Sequence, residues 1–187
     1  ILECEKLYNS ISNRTTIAYL DLLNTMRFEY EELGETEKCL EISSEIIRLI
    51  LTQDFERDNI DLILRATYDT RARLGDFRAY CIALEWNRPI EKQFFLPRKR
   101  ILEKHGLIQA MQDMADDKLD FLFISLPPRI GKSTLGIFFL TFMAGRFPER
   151  LILGSGHSTA LTQAFYNEVL NIMTGEEYRF YEIFPRV

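Results

Sequence analysis

Gly131, Lys132, Ser133 and Thr134 follow one another in the stretch FLFISLPPRIGKSTLGIFFL, residues 121–140, between two apolar runs. These residue types, in this order, can grip a phosphate. Such a grip needs backbone N–H groups turned inward, the N-terminus of a helix behind them, and a lysine for the outer phosphate oxygens. A serine or threonine then holds magnesium. Gly131 stands where the backbone must approach the anion, and Lys132 and Ser133 open the following helix. The first glycine usual in such a loop is missing, and Leu126 occupies its place. Pro127 and Pro128 offer a substitute, because a fixed φ makes the loop entrance rigid. Neither has an N–H, so phosphate contacts must begin at Arg129, which adds a second positive charge beside Lys132. The alternative for Arg129 is an ordinary solvent-facing loop residue. For Lys132 the alternative explains less, since a surface lysine there would oppose the helix dipole.

The elements around this loop follow from periodicity. KLDFLFISL reads as a buried strand over about 119–125, and residues 132–145 as a helix. RLILGSG reads as a second buried strand over about 151–155, stopped by Gly154 and Gly156, and Ser158 is placed to cap a helix over STALTQAFYNEVLNIM. Strand-helix-strand-helix predicts two adjacent parallel strands in an α/β sheet. The first half differs. Tyr19, Leu22, Leu23, Met26 and Tyr30 recur at helical steps up to Gly34, and Ile42, Ile46, Leu49 and Ile50 make a second stripe. A third helix is expected from Asp58 to Leu74, ended by Gly75, and a fourth from Asp76, carrying Phe77, Tyr80 and Leu84. Pro89, Pro97 and the basic cluster Arg98-Lys99-Arg100 mark a hinge, followed by a short helix over GLIQAMQDMADD. The expected fold class is thus α + α/β: a helical bundle over 1–87, then a partial sheet with flanking helices over 88–187. Two strands alone leave an edge and apolar surface uncovered.

Charge separates the halves. Residues 1–87 hold 10 Lys/Arg against 17 Asp/Glu, and residues 88–187 hold 13 against 11. The acidic half is a poor match for nucleic-acid phosphates, so any DNA contact falls to the second half or to chain beyond this one. Cys4, Cys39 and Cys81 are odd in number and widely spaced, and His105 and His157 offer no metal spacing. Three reduced thiols of a cytosolic protein are expected, without zinc. The longest apolar run, in GIFFLTFMAG, is too short to span a bilayer. ILECEKLYNS lacks the apolar core of a leader, and the chain, beginning without Met, is expected to be processed or excised from something longer.

SLPPRIGKSTL resembles the variant Walker A motif of tailed-phage terminase large subunits, the DNA-packaging motors, where Pro-Pro-Arg-x-Gly-Lys-Ser/Thr loops are common. FFLPRKRILEKHGLIQAMQDMADDKLDFLFIS, the Leu153-Gly154-Ser155-Gly156-His157 strand end, LTQAFYNEVLNIM and EYRFYEIFP are similar to the same family, so the resemblance covers residues 90–187. It implies a P-loop ATPase domain of the ASCE type, with ATP and Mg²⁺ as cofactors. Carried over by position, Lys132 contacts the β- and γ-phosphates, Ser133 holds Mg²⁺, and Arg129 senses or stabilises the γ-phosphate. The N–H groups of Ile130, Gly131, Lys132, Ser133 and Thr134 cradle the β-phosphate. Phe95 and Arg98 become candidates to stack on and bond adenine, the alternative being a core aromatic and a solvated arginine. His157 is a candidate γ-phosphate or DNA-side contact or, more simply, a structural loop residue.

The resemblance also implies partners and place: double-stranded DNA through the full-length protein, a portal, a small terminase subunit, a homo-oligomeric ring, no membrane, and the cytoplasm of the bacterial host. The sequence departs widely from the family, for neither a coupling motif nor a nuclease acid cluster appears in it. No apolar run ending in Asp-Glu follows the loop, so Walker A is present and Walker B absent. Glu149, Glu168, Glu176, Glu177 and Glu182 all lack the placement of a catalytic base. The chain therefore reads as the N-terminal part of a large terminase that binds nucleotide without efficient hydrolysis. Two alternatives stand beside it. One is a helical interaction module over 1–87 that docks a small terminase subunit or portal. The other is a different P-loop NTPase, helicase-like or a nucleoside kinase.

Overall fold

The structure is a computed structural model that describes residues 1–12, 16–53, 55 and 59–187. It divides into two compact units, Ile1–Leu74 and Gly75–Val187.

The first unit contains α1 (Leu2–Ser10), α2 (Ile17–Glu32), α3 (Thr36–Thr52) and α4 (Ile60–Arg73). The expected start of α4 at Asp58 lies outside the described residues. Thr16 caps α2, its hydroxyl accepting from the Tyr19 N–H at 3.3 Å. Gly34 ends the α2 turn at φ 71°, a left-handed value that glycine adopts without a Cβ penalty. The core is formed by the stripes read from the sequence. Tyr19, Leu23, Met26 and Tyr30 of α2 pack with Ile42, Ile46 and Leu49 of α3, and Cys39 and Ile63 join them. Arg27 is buried with them. It donates to Thr70 Oγ1 and, at 3.0 Å, to Asn24 Oδ1, and Glu31 lies 3.5 Å away. Glu31 also takes Arg73 at 2.7 Å, which ties α2 to α4.

The second unit contains α5 (Phe77–Leu84), a 3₁₀ turn (Ile90–Lys92), α6 (Phe95–Lys104), α7 (Leu107–Ala115), α8 (Lys132–Arg146), α9 (Thr159–Thr174) and α10 (Phe180–Ile183). Asp76 caps α5 through the Ala79 N–H at 2.9 Å, and Ser158 caps α9 through the Leu161 N–H at 3.3 Å. Helix α5 belongs to this unit, so the division falls at Leu74/Gly75 rather than 87/88. The cause is aromatic packing. Phe77 meets Phe139 edge-on at 5.4 Å and Phe142 at 5.3 Å, and Tyr80 meets Phe142 at 5.3 Å and donates to Thr141 Oγ1 at 2.7 Å. These contacts join α5 to α8.

The expected parallel sheet is absent: among the described residues there is no strand, and the fold is helical. Residues 119–126 and 151–156 run without regular hydrogen-bonded structure. No backbone hydrogen bond joins residues 119–126 or 151–157 to any described residue. A β-strand exists only through a ladder with a neighbour, and apolar content alone does not supply one. Both segments also lack the burial expected of them. Phe123 is 90% exposed and Leu153 93%, with Phe121 and Leu151 exposed beside them, while Leu122, Ile124 and Leu126 are half-buried. Apolar surface is uncovered as the sequence led us to expect, but along unpaired segments rather than at the edge of a sheet. Among the described residues no helix is long and apolar enough to cross a membrane.

A polar knot closes the start of α5 against α7 and α8. Gln112 accepts from the Phe77 N–H and donates to the Gly75 carbonyl, each at 2.8 Å. Arg146 donates to Asp116 Oδ1 at 2.8 Å and to the Ala115 carbonyl at 3.1 Å. Burial alone would raise the Asp116 carboxyl, but Arg146, Gln112 and Lys118 outweigh it and hold the carboxyl below its usual 3.8. A carboxyl depressed on folding contributes stability above its unfolded pKa, and that stability disappears as pH falls through the folded value. Asp116→Asn is therefore expected to cost about 1 kcal/mol at neutral pH and to flatten the acid side of the stability profile below about pH 4. Urea unfolding between pH 3 and 7 checks this; parallel profiles for the two proteins would refute it.

Candidate phosphate-binding loop

The loop between Leu126 and Lys132 has two residues with left-handed backbone, Arg129 at φ 67° and Gly131 at φ 97°. For glycine this conformation carries no steric cost, whereas for arginine it is strained. Alternation of right- and left-handed residues turns successive N–H groups to one side and makes an anion-binding concavity. Gly131 is the N-cap of α8 and has no side chain to satisfy the helix's first N–H groups. Lys132 and Ser133 are the first two residues of α8, both exposed, and Arg129 is exposed ahead of them. Ile130 and Thr134 are half-buried, and Leu135 is buried in the first turn.

Arg129 and Lys132 make no ion pair with any described residue. Two cations thus sit at the positive end of a helix dipole, each of them disfavoured by that dipole. An anion bound at the N-terminus of α8 reverses the sign of every one of these interactions. The Ser133 hydroxyl fits a magnesium ligand whose other ligands come from phosphate oxygens and water. The protein offers no further metal cluster, for no group of three His, Cys, Asp or Glu is placed to hold an ion among the described residues. Ser133 also lines a cavity of about 460 Å³ between α8 and α9, walled by Leu140, Ile152, Phe165 and Val169. This cavity is apolar, with Ser155 and Thr162 among its few polar groups.

The two residues expected at adenine separate. Phe95 is fully buried, so neither of its ring faces is open to a base. Arg98 donates to the Phe94 carbonyl at 3.1 Å, with its guanidinium 5.1 Å from the Phe94 ring centre. The ring that meets the loop is Phe94. A Cβ added at Gly131 would lie 2.1 Å from Phe94 Cε2. Phe94 also meets Phe138 of α8 edge-on at 5.4 Å. His157 is exposed in the turn before α9. Sequence reasoning did not single out Phe94, whose contact with Gly131 depends on how α6 and α8 pack.

It also missed Glu85. This residue ends α5 and is buried, and it accepts from the Phe94 N–H at 2.8 and 2.9 Å and the Phe95 N–H at 2.8 Å. Arg88 pairs with it at 3.0 Å and donates to the Tyr178 hydroxyl at 2.7 Å. Burial pushes the Glu85 carboxyl up from its ordinary value, against the opposing Phe95 and Phe94 N–H groups and Arg88. No spacing rule marks Glu85, since its partners are backbone groups brought to it by the chain reversal at Pro89. Compared with family models, curated proteins and solved structures, the chain matches none of them.

Proposed function

We propose that residues 129–134 bind the phosphates of ATP with Mg²⁺, and that the chain is the ATP-binding N-terminal part of a large terminase, the motor that moves double-stranded DNA into a procapsid. The observation that carries the nucleotide reading is the loop itself. Left-handed Arg129 and Gly131 precede α8, and two unpaired cations sit at its N-terminus. Support for the terminase reading comes from the Pro127-Pro128-Arg129 entrance and the Gly131-Lys132-Ser133 exit. Lys132 neutralises the outer phosphates, Arg129 takes the γ-phosphate, and Ser133 holds Mg²⁺. Hydrolysis by this chain stays near background. Glu177 lies 3.5 Å from Arg88 and Glu182 pairs with Arg179 at 2.9 Å, while Glu168 is in the middle of α9.

Lys132→Ala removes one hydrogen bond to a charged group, worth about 1.5–3 kcal/mol. Mg-ATP affinity is expected to fall by about tenfold or more. Equilibrium titration of wild type and variant with Mg-ATP checks this, with phosphate release followed in parallel. Equal binding by the two proteins, or turnover that Lys132→Ala abolishes, would overturn the reading.

A further inference from the structure

We propose that Glu85 is a positioning residue for the loop at Gly131, acting through Phe94. Two contacts make the chain of action. The Glu85 carboxylate accepts three short hydrogen bonds from the Phe94 and Phe95 N–H groups, at 2.8, 2.9 and 2.8 Å. It thereby supplies the N-terminus of α6 with the acceptor that Phe94, as N-cap, has no side chain to provide. The Phe94 ring, 8% exposed, then lies where a Cβ of residue 131 would stand, and edge-on to Phe138 about two turns further into α8. The ring is the floor on which the left-handed turn rests. A floor fixed at its backbone leaves the turn little freedom to reorient the N–H groups that follow Gly131. Arg88 holds the other side of the carboxylate and stacks on the Tyr178 ring at 4.5 Å, so the anchor is itself held in place. Glu85 is buried beneath this arrangement.

The affinity consequence rests on the phosphate-binding reading above, whereas the loop-ordering consequence does not. The test uses the full chain, with Glu85→Ala, Glu85→Gln, Phe94→Leu and, as a control for stability lost elsewhere, Ile183→Ala in buried α10. Hydrogen exchange of residues 129–134 is followed by mass spectrometry well below each melting temperature, and Mg-ATP affinity by titration. Glu85→Ala leaves two buried N–H groups unsatisfied, and Phe94→Leu removes the ring. Each is expected to speed loop exchange and to weaken Mg-ATP binding by about tenfold. Glu85→Gln keeps an acceptor oxygen and is expected to stay within about threefold of wild type in both readouts. Ile183→Ala is expected to lower the melting temperature and leave exchange at 129–134 unchanged. If Glu85→Ala does not fold, Phe94→Leu and Glu85→Gln decide the matter. Exchange at 129–134 that follows melting temperature alone, in all variants and the control, would overturn the proposal. If wild type binds no Mg-ATP, the nucleotide reading fails and the exchange measurements still decide whether Glu85 orders the loop.

Discussion

Gly131→Ala is expected to destabilise the second unit by about 2–5 kcal/mol and to remove Mg-ATP binding. Two costs combine. At φ 97° any L side chain is strained, and the new methyl meets the Phe94 ring at a 2.1 Å approach. The ring cannot swing away cheaply, because its backbone is bonded to Glu85 and its edge packs against Phe138. The turn must therefore open, which carries the N–H groups of Lys132 and Ser133 away from one another. Arg129→Gly makes an informative contrast. It relieves left-handed strain of about 1 kcal/mol, so stability is retained or gained while the cation proposed for the γ-phosphate is lost. Urea unfolding and Mg-ATP titration of the two variants separate these effects. A stability loss below about 0.5 kcal/mol in Gly131→Ala would show that the turn is not held as described.

Glu31→Ala is expected to cost the first unit about 3 kcal/mol. The Arg27 side chain is 1% exposed, and Glu31 is the carboxylate facing both Arg27 at 3.5 Å and Arg73 at 2.7 Å. Thr70 donates to the same carboxylate at 2.7 Å, and Arg27 Nε has no acceptor. Burial already pulls the Arg27 pKa down, with Glu31 as the first opposing influence and Arg73 adding to the fall. Without Glu31, the Arg27 and Arg73 guanidinium groups lose the carboxylate they share. Breaking one side of such a pair strands a charge, whereas removing both sides leaves a space that apolar neighbours can fill. The double variant Arg27→Leu/Glu31→Ala is thus expected to lose less than the sum of the single variants. Thermal and urea unfolding of wild type, Arg27→Leu, Glu31→Ala and the double variant form the cycle. Additive losses would show that Arg27 and Glu31 do not act together.

The helices and their caps were legible because a helix is a local object. Its hydrogen bonds close within four residues, so the stripe Tyr19, Leu23, Met26, Tyr30 and the caps at Asp76 and Ser158 contain nearly all that forms them. The turn into α8 was legible for the same reason, since Gly131 and the residues that open the helix are adjacent in the chain. A strand is not local. Residues 119–125 and 151–155 have the composition of buried strands, but a strand requires backbone partners in register, and composition cannot state whether those partners are present. The structure leaves both segments unpaired and Phe123 and Leu153 in solvent. The unit boundary likewise depended on which aromatic rings meet, because the Phe77 and Tyr80 contacts with Phe142 draw α5 into the second unit. Tertiary structure alone decided the support beneath the loop. Glu85 and Phe94 are joined by a carboxylate reaching backbone N–H groups, and Phe94 and Gly131 by a ring filling the space of an absent Cβ. The first spans nine residues without a helical or strand period, and the second joins segments far apart in the chain, so no residue type or spacing announces either.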